Sequence, residues 1–544
     1  MNTYTDMWIS KRGIQYQKAE NEKYIVWYTG VLIADNSPVQ NPLEVAKKAY
    51  ENQLDYNLMS GCYKLVIFSK TENGYLFFGD HAGNQFFFFD EREGVFSDSF
   101  LELRKKRERE IEIDMVAAFE LIELGRILGE KTLIRDIKKT DADRYYRLRN
   151  GKIEIFPKGL RLLSEMVENI QLDDVVAPML KTVEAQKICA VCTGGTDSRV
   201  IISNLLFREQ KPDLLLTGHS DNPDVPIAEK IARKAELPLA LVQFSEHEED
   251  WLKKSFCFMD GMYDVVLGYR HLMKAKHVAH RGYTVEFGGV GGEFYKNSFY
   301  LPFRRAHIRD KQRQIELVLA GNGVSRKACF GDELRDAAKT YLREVGEINE
   351  KAKAEHGLLA VCNSAGFELL KSGAGSITNA YSAVCCKVDP LMDRRLIAVT
   401  SKKAAWTLSM HMWQRKQIAR YCPTLSDIPT DQGYSCSVNM VVLLKERWKK
   451  LRFYSGRVVA RLQRKMGLQY RDASAHYWDS DYMAARQDPS WKFAIEKCKE
   501  LGVLQKDAND EEIPIAKTGE ILQIGLLFAE DFDKGMHCVN FAIN

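Results

Sequence analysis

The stretch KICAVCTGGTDSRVIISNLL (residues 187–206) runs an apolar segment, KICAVC, into Thr193-Gly194-Gly195-Thr196-Asp197-Ser198 and out into SRVIISNLLFREQ, whose apolar residues recur at helical spacing. The alternation repeats downstream. DLLLTG (213–218) precedes the helical DVPIAEKIARKAE (224–236), and LALVQF (239–244) and YTVEFGG (283–289) are two further strand-like runs. Strands alternating with helices predict a parallel, doubly wound sheet, whose ligands bind at the carboxyl ends of the strands.

The glycine-rich turn stands where the first of those strands ends. Gly194 and Gly195 let the backbone come close to an anion and aim consecutive N–H groups at it, and the helix starting near Ser198 adds its positive dipole end. Thr193, Thr196 and Ser198 can donate hydroxyl hydrogen bonds to phosphate oxygens. Asp197 is repelled by a phosphate unless a cation lies between them, which implies Mg²⁺. No Gly-Lys-Ser/Thr is present, so this is not the Walker phosphate loop. The plainer alternative is a strand-to-helix turn with an N-capping serine.

Upstream, the first ~150 residues read as β-rich. YIVWYTGVLI (24–33), YKLVIFSK (63–70), YLFFGD (75–80) and NQFFFFD (84–90) are short apolar or aromatic runs broken by Gly, Asn and Asp. Two sheets packed face to face would bury that many aromatics. Helical periodicity appears at PLEVAKKAYENQL (42–54) and DMVAAFELIELGRIL (114–128), which makes this part α+β. Beyond ~300 the chain is mostly helical, then turn-rich at CPTLSDIPTDQGYS (422–435). A basic amphipathic segment follows at 441–467, which reads either as a solvated face over the core or as a peripheral membrane contact through residues 441–466.

Composition narrows the class. At 544 residues the chain should hold two or three domains. Lys and Arg (78) exceed Asp and Glu (74) by only 4, a surplus that gives nucleic-acid binding no support. No apolar run is long enough to span a bilayer, and MNTYTDMWISKRG lacks the apolar core of a signal peptide, so a cytoplasmic location is expected. The 12 cysteines show no paired spacing, which suits a reducing compartment. The C-x-x-C of Cys189 and Cys192 lies in a strand-like run, so its thiols should point to opposite sheet faces.

The TGGTDS turn resembles the SGGxDS loop of the ATP pyrophosphatase superfamily, with Thr193 replacing the first serine. MSGCYKLVIF (59–68), LFFGDHAGNQFFFF (76–89) and FSDS (96–99) look like the GxFAFxxxD, RDxxGxxPLYY and FASE segments of the amino-terminal domain of asparagine synthetases. GEKTLIRDIKKTDADRYYRLRNGKI (129–153) is similar to the strand pair that closes that domain. FGGVGGEFYKNSFY (287–300) resembles SGDGxDELFGGY, and DPLMDRRLIAV (389–399) resembles PFLDxxLV. The resemblance covers ~430 residues in the family's order, and it is to the asparagine synthetase-like family of class II amidotransferase type. It implies an Ntn-hydrolase-like β-sandwich over 1–160, an ATP pyrophosphatase unit over 165–440 and a helical extension over 441–544.

Such enzymes adenylate a carboxylate with Mg²⁺ and ATP, release pyrophosphate and let an amine displace AMP. By the resemblance Thr193, Gly194, Gly195, Thr196, Asp197 and Ser198 hold the pyrophosphate, and Gly289 and Gly291 belong to the facing loop. Glu293 falls on the family's aspartate and shares metal with Asp197, while Leu216, Thr217 and Gly218 contact the adenine through their main chain. Glu293 also reads as a surface carboxylate after a glycine turn. Arg199 reads as a phosphate contact or as a solvated or ion-paired residue. Asp389 and Asp393 read as structural, and His219 and His271 as polar core or surface residues rather than acid–base groups.

Departures from the pattern bear on the acceptor chemistry. A glutaminase of this class needs an amino-terminal cysteine, and the sequence reads Met1-Asn2, with Cys62 the first cysteine and placed inside a strand. The RGPD and HRRL segments are missing too, so the amino-terminal domain is expected to be a relic without glutaminase activity. Cys386 stands where the family has a glutamate, and IPTDQGYS (428–435) lacks the lysine of the family's RxK. The expectation is a carbon–nitrogen ligase acting on a non-aspartate carboxylate, with ammonia or a substrate amine as nucleophile. TGGxDSR, GVGGE, IPTDxG and HYW (476–478) look most like relatives associated with bacterial surface polysaccharides, where a uronic acid would be amidated. A lactam or macrolactam synthetase and a decayed nucleotide-binding scaffold are the alternatives. A homodimer is left open.

Overall fold

The computed structural model describes residues 8–9, 13–107, 109–166, 169–219, 222–243, 246–296, 298–299, 327–403, 405–446 and 479–529. Met1-Asn2, HYW (476–478) and residues 447–467 of the basic segment lie outside them.

The aromatic runs of the amino-terminal part become strands because alternate residues bury on two faces. The strands are β1 (Trp8–Ile9), β2 (Gln17–Glu20), β3 (Tyr24–Ala34), β4 (Ser37–Pro38), β5 (Met59–Ser69), β6 (Gly74–Gly79), β7 (Phe88–Asp90), β8 (Val95–Ser97), β9 (Ile137–Lys139), β10 (Arg144–Arg149) and β11 (Lys152–Pro157). One antiparallel sheet has the order β11-β10-β6-β5-β3-β2, with β4 on β3, and a second sheet has the order β1-β8-β7-β9, antiparallel except for the parallel pair β1–β8. The two sheets face each other over an aromatic layer in which Phe77 stacks on Phe96 with ring centroids 4.0 Å apart. Helix Pro42–Tyr50 covers the other face of the larger sheet through Val45, Ala46 and Ala49. Only Phe88–Asp90 of NQFFFFD are strand, yet the period of two persists. Phe87 and Phe89 enter the aromatic layer, while Phe86 and Phe88 face the helices behind it.

The third sheet is parallel throughout. Its strands are β12 (Ile188–Val191), β13 (Asp213–Gly218), β14 (Leu239–Gln243), β15 (Val285–Phe287) and β16 (Cys386–Val388), in the order β14-β13-β12-β15-β16. The sequence signalled four of these, and β16 is the one it did not. Alternate residues feed opposite faces: Cys189 and Leu215 pack against helices Trp251–Phe258 and Val265–His280. Ala190, Leu214 and Leu216 pack against helices Leu172–Thr182, Asp197–Phe207 and Val225–Ala235. The chain is thus a mixed α/β protein with antiparallel sheets and a parallel sheet covered by helices on both faces. The two thiols of the C-x-x-C fall on opposite faces as expected.

The strand order has a consequence for function. From the first strand, β12, the chain winds outward through β13 and β14, then crosses back to lay β15 and β16 on the other side. The connections from β12 and β15 therefore lead in opposite directions along the sheet, and the carboxyl ends of these adjacent strands form the topological switch point, whose crevice is where ligands bind in sheets of this kind. Among the described residues no helix is long and apolar enough to cross a membrane. Among the described residues ten cysteines are free thiols and Cys257 is disulfide-bonded, a departure from the expectation of a reducing compartment.

Candidate active site at the switch point

The segments 193–198 and 288–293 are the two loops of that crevice, and they touch. A Cβ on Gly289 would lie 2.7 Å from the Ser198 amide nitrogen, and one on Gly292 would lie 2.0 Å from Asp197 Cγ. Gly291, with φ +93°, would bring a Cβ to 2.7 Å of the Leu391 carbonyl oxygen. The glycines of GGVGGE thus let the second loop lie directly on the first. The loops bring Asp197 and Glu293 together.

Helix Asp197–Phe207 starts at the end of the first loop with Thr196 as N-cap, and Thr196 makes no side-chain capping bond. Ser198 does not cap either: its Oγ accepts from the Thr193 amide at 3.1 Å and lies 3.0 Å from Thr193 Oγ1. The N-capping serine of the plainer reading is therefore absent. The first turn keeps amides that no side chain of the cap satisfies, at the positive end of an 11-residue helix.

Asp197 is half-buried and engaged on both oxygens. Lys296 Nζ pairs with Oδ2, while Gln414 Nε2 at 3.3 Å and Thr196 Oγ1 at 3.3 Å donate to Oδ1. Gln414 also donates to the Gly292 carbonyl at 3.2 Å, which ties the two loops. Glu293 is held differently. Burial raises its pKa and the Asp197 charge raises it further, and its Oε2 is sealed from solvent with no hydrogen-bond partner. It is not the surface carboxylate of the alternative reading. A carboxylate with one unsatisfied buried oxygen beside a second carboxylate offers the kind of hard oxygen donors that a cation can use. Among the described residues no group of three or more His, Cys, Asp or Glu side chains is arranged to hold a metal, so a cation here would draw its remaining ligands from elsewhere.

The third wall is formed by residues 410–415 and 428–436. His411, with φ +61°, has its Nδ1 3.3 Å from Thr196 Oγ1, and Tyr434 Oη lies 3.0 Å from its Nε2. The Asp431 amide donates to the Gly194 carbonyl at 3.2 Å. Arg199 corrects both expectations for it. It is fully buried, and its guanidinium donates to the carbonyls of Ile428 at 2.6 Å, Pro429 at 3.2 Å and Gly194 at 3.4 Å and to Cys436 Sγ at 3.1 Å. It clamps the 428–436 segment behind the loop, and neither reaches into the crevice nor meets water. Gly194 also departs from the expected role. Its amide serves the Asp224 carboxylate, whose pKa burial and Asp431 raise against that hydrogen bond.

On the other side of β12, its pairing with β13 ends at Val191↔Leu215, and β13 runs on through Leu216, Thr217 and Gly218 with β14 alone beside it. The main chain of these three residues edges the crevice, and Thr217 Oγ1 is buried without a partner. Beyond it His219 Nε2 lies 3.0 Å from Asp481 Oδ2, with His247 3.2 Å from the other oxygen. Burial keeps His271 neutral against Tyr381. Asp389 pairs with Lys387 and accepts from the Val290 amide at 3.3 Å, and Asp393 caps helix Arg394–Ser401. Both are structural. Sequence reasoning missed Lys296 and Tyr434, which lie inside the quoted segments 287–300 and 428–435 but at positions given no role there, and His411 and Gln414, which come from a segment without a motif.

Neither a comparison with protein-family models nor one with curated proteins returns a match.

Proposed function

We propose that this chain is an ATP-dependent, amide-bond-forming ligase of the asparagine synthetase-like type. In this reading the amino-terminal sandwich is an Ntn-hydrolase-like relic, and the parallel sheet is an ATP pyrophosphatase unit that adenylates a substrate carboxylate. One observation carries it: the two glycine loops leave the strands flanking the switch point and set Asp197 beside Glu293 under an uncapped helix start. Leu216, Thr217 and Gly218 would take the adenine through their main chain, and Gly195, Thr196 and the first helical amides would take the phosphates. The Asp197–Glu293 donor set fits Mg²⁺, which when bound supplies charge neutralisation at the departing pyrophosphate.

What this chain's residues do is positional. Gln414 fixes the two loops to each other, Arg199 fixes the third wall, and Thr193 and Ser198 hold the loop closed through their hydroxyls. The amine comes from ammonia or from the substrate, since Cys62 is unsuited to hydrolyse glutamine. It is 2% exposed, and the contact with Cys386 together with burial pushes its thiol pKa well up. Cys386 replacing a glutamate favours a non-aspartate acceptor, with a uronic acid of a surface polysaccharide as the class to try first.

The test is exchange of radiolabelled pyrophosphate into ATP across a panel of carboxylates that includes uronic acids. A carboxylate that stimulates exchange in the wild type and not in Asp197→Asn, with both melting alike, supports the reading. ATP binding with no exchange for any carboxylate favours the decayed scaffold, and exchange unaltered in Asp197→Asn refutes the site.

A further inference from the structure

The loop is crowded with negative charge. Asp197 and Glu293 lie on the crevice side, and Asp224 and Asp431 stand close enough behind Gly194 for the charge of one to raise the pKa of the other. A polyphosphate entering such a site needs cations on the side it enters from. Arg199 does not serve, since its guanidinium is fully buried behind the loop and committed to three carbonyls. Lys296 is different. It follows the short helical turn Gly292–Tyr295, its side chain is 21% exposed, and its ammonium rests on Asp197 Oδ2.

We propose that Lys296 is a phosphate-binding residue that holds Asp197 while the site is empty and exchanges that carboxylate for the pyrophosphate oxygens of ATP. The inference rests on the ATP reading above. An ammonium and a divalent cation cannot both sit against one carboxylate oxygen without repulsion, so a cation that takes Asp197 frees Lys296. The nearest new anion is then the polyphosphate the site accepts, and a lysine on a flexible stem can follow it as a point charge. Until that exchange Lys296 cancels the Asp197 charge, which would otherwise push the neighbouring Glu293 pKa still higher, and it keeps the two loops closed.

The experiment uses the full chain and reads binding and accessibility rather than turnover. Lys296 is labelled with an amine-reactive reagent and quantified by mass spectrometry with no ligand, with Mg²⁺, and with Mg²⁺ plus ATP or plus pyrophosphate. Labelling is expected to rise with Mg²⁺ alone and to fall at least about tenfold when polyphosphate is added. By calorimetry, Lys296→Gln is expected to weaken Mg²⁺-ATP binding about 10- to 100-fold, the effect of losing one hydrogen bond to a charged group, with Lys296→Arg recovering part of it. Wild type that takes no Mg²⁺-ATP overturns this proposal together with the ATP reading. Wild type that binds Mg²⁺-ATP with Lys296 labelling unmoved by the nucleotide overturns this proposal alone, as does a folded Lys296→Gln that binds as tightly as wild type.

Discussion

Replacing Gly195 by alanine separates what the fold requires from what a ligand requires. A Cβ on Gly195 meets nothing nearer than Thr193 Oγ1 at 3.6 Å, an ordinary contact, and its φ lies outside the left-handed region. The fold has no steric use for a glycine there. Alanine restricts the unfolded chain, so the expected change is a gain of about 0.4–1 kcal/mol in stability. Gly194 supplies the contrast, because a Cβ there would lie 2.5 Å from Asp224 Oδ1 and 2.9 Å from Ile227 Cδ1. Its neighbours would have to give by roughly 0.9 Å to restore ordinary contact, and such overpacking costs about 1–3 kcal/mol. On the proposed ATP reading the ligand has the opposite requirement at Gly195, where a methyl would hold a phosphate off the loop amide. Loss of one charge-assisted hydrogen bond is worth about 1.5–3 kcal/mol, or ~10- to 100-fold in Kd. Urea unfolding followed by tryptophan fluorescence and calorimetric titration with Mg²⁺-ATP read the two effects separately. A Gly195→Ala variant that binds the nucleotide as wild type does, or that loses as much stability as Gly194→Ala, would refute the reasoning.

The remaining expectations follow from single side chains. Because burial and then the Asp197 charge raise the folded-state pKa of Glu293, the ligand-free protein is stabilised by its proton and loses that stability as pH rises from the ordinary carboxyl value of 4.5 through the raised one. Glu293→Gln should therefore match wild type at acid pH and exceed it at neutral pH in denaturant titrations, and equal pH slopes would contradict it. Arg199→Met leaves the Ile428 and Pro429 carbonyls behind the loop without their donor, while Gly194 keeps the Asp431 amide, so a loss of about 3 kcal/mol is expected, and unfolding free energies within 0.5 kcal/mol of wild type would show that the clamp does not matter. Cys62 should resist alkylation in the native protein while Cys386, half-buried, reacts faster, as peptide mapping after a timed iodoacetamide pulse would show. Preferential labelling of Cys62 would remove the basis for dismissing it as a nucleophile.

The strand-and-helix alternation and the TGGTDS turn were legible in the sequence because both are local. Apolar runs of strand length, helical spacing and adjacent glycines act within a few residues, and β12 through β15 and their helices appear where the pattern puts them. The aromatic sandwich was legible for the same reason, down to the period of two that survives in residues 86–89 beyond the strand itself. Tertiary structure alone decided the strand order, and with it the switch point that turns two glycine loops into one crevice. It also decided that Arg199 turns inward, because the carbonyls it serves lie 229 and 230 residues away in a segment without regular structure. Lys296 and Gln414 reach Asp197 across 99 and 217 residues, and although Lys296 lies within the quoted glycine-rich segment, nothing local marks either as a partner of Asp197. Backbone preference fixes where the chain turns and bends, whereas which side chains meet depends on how whole layers pack, and packing has no local signature.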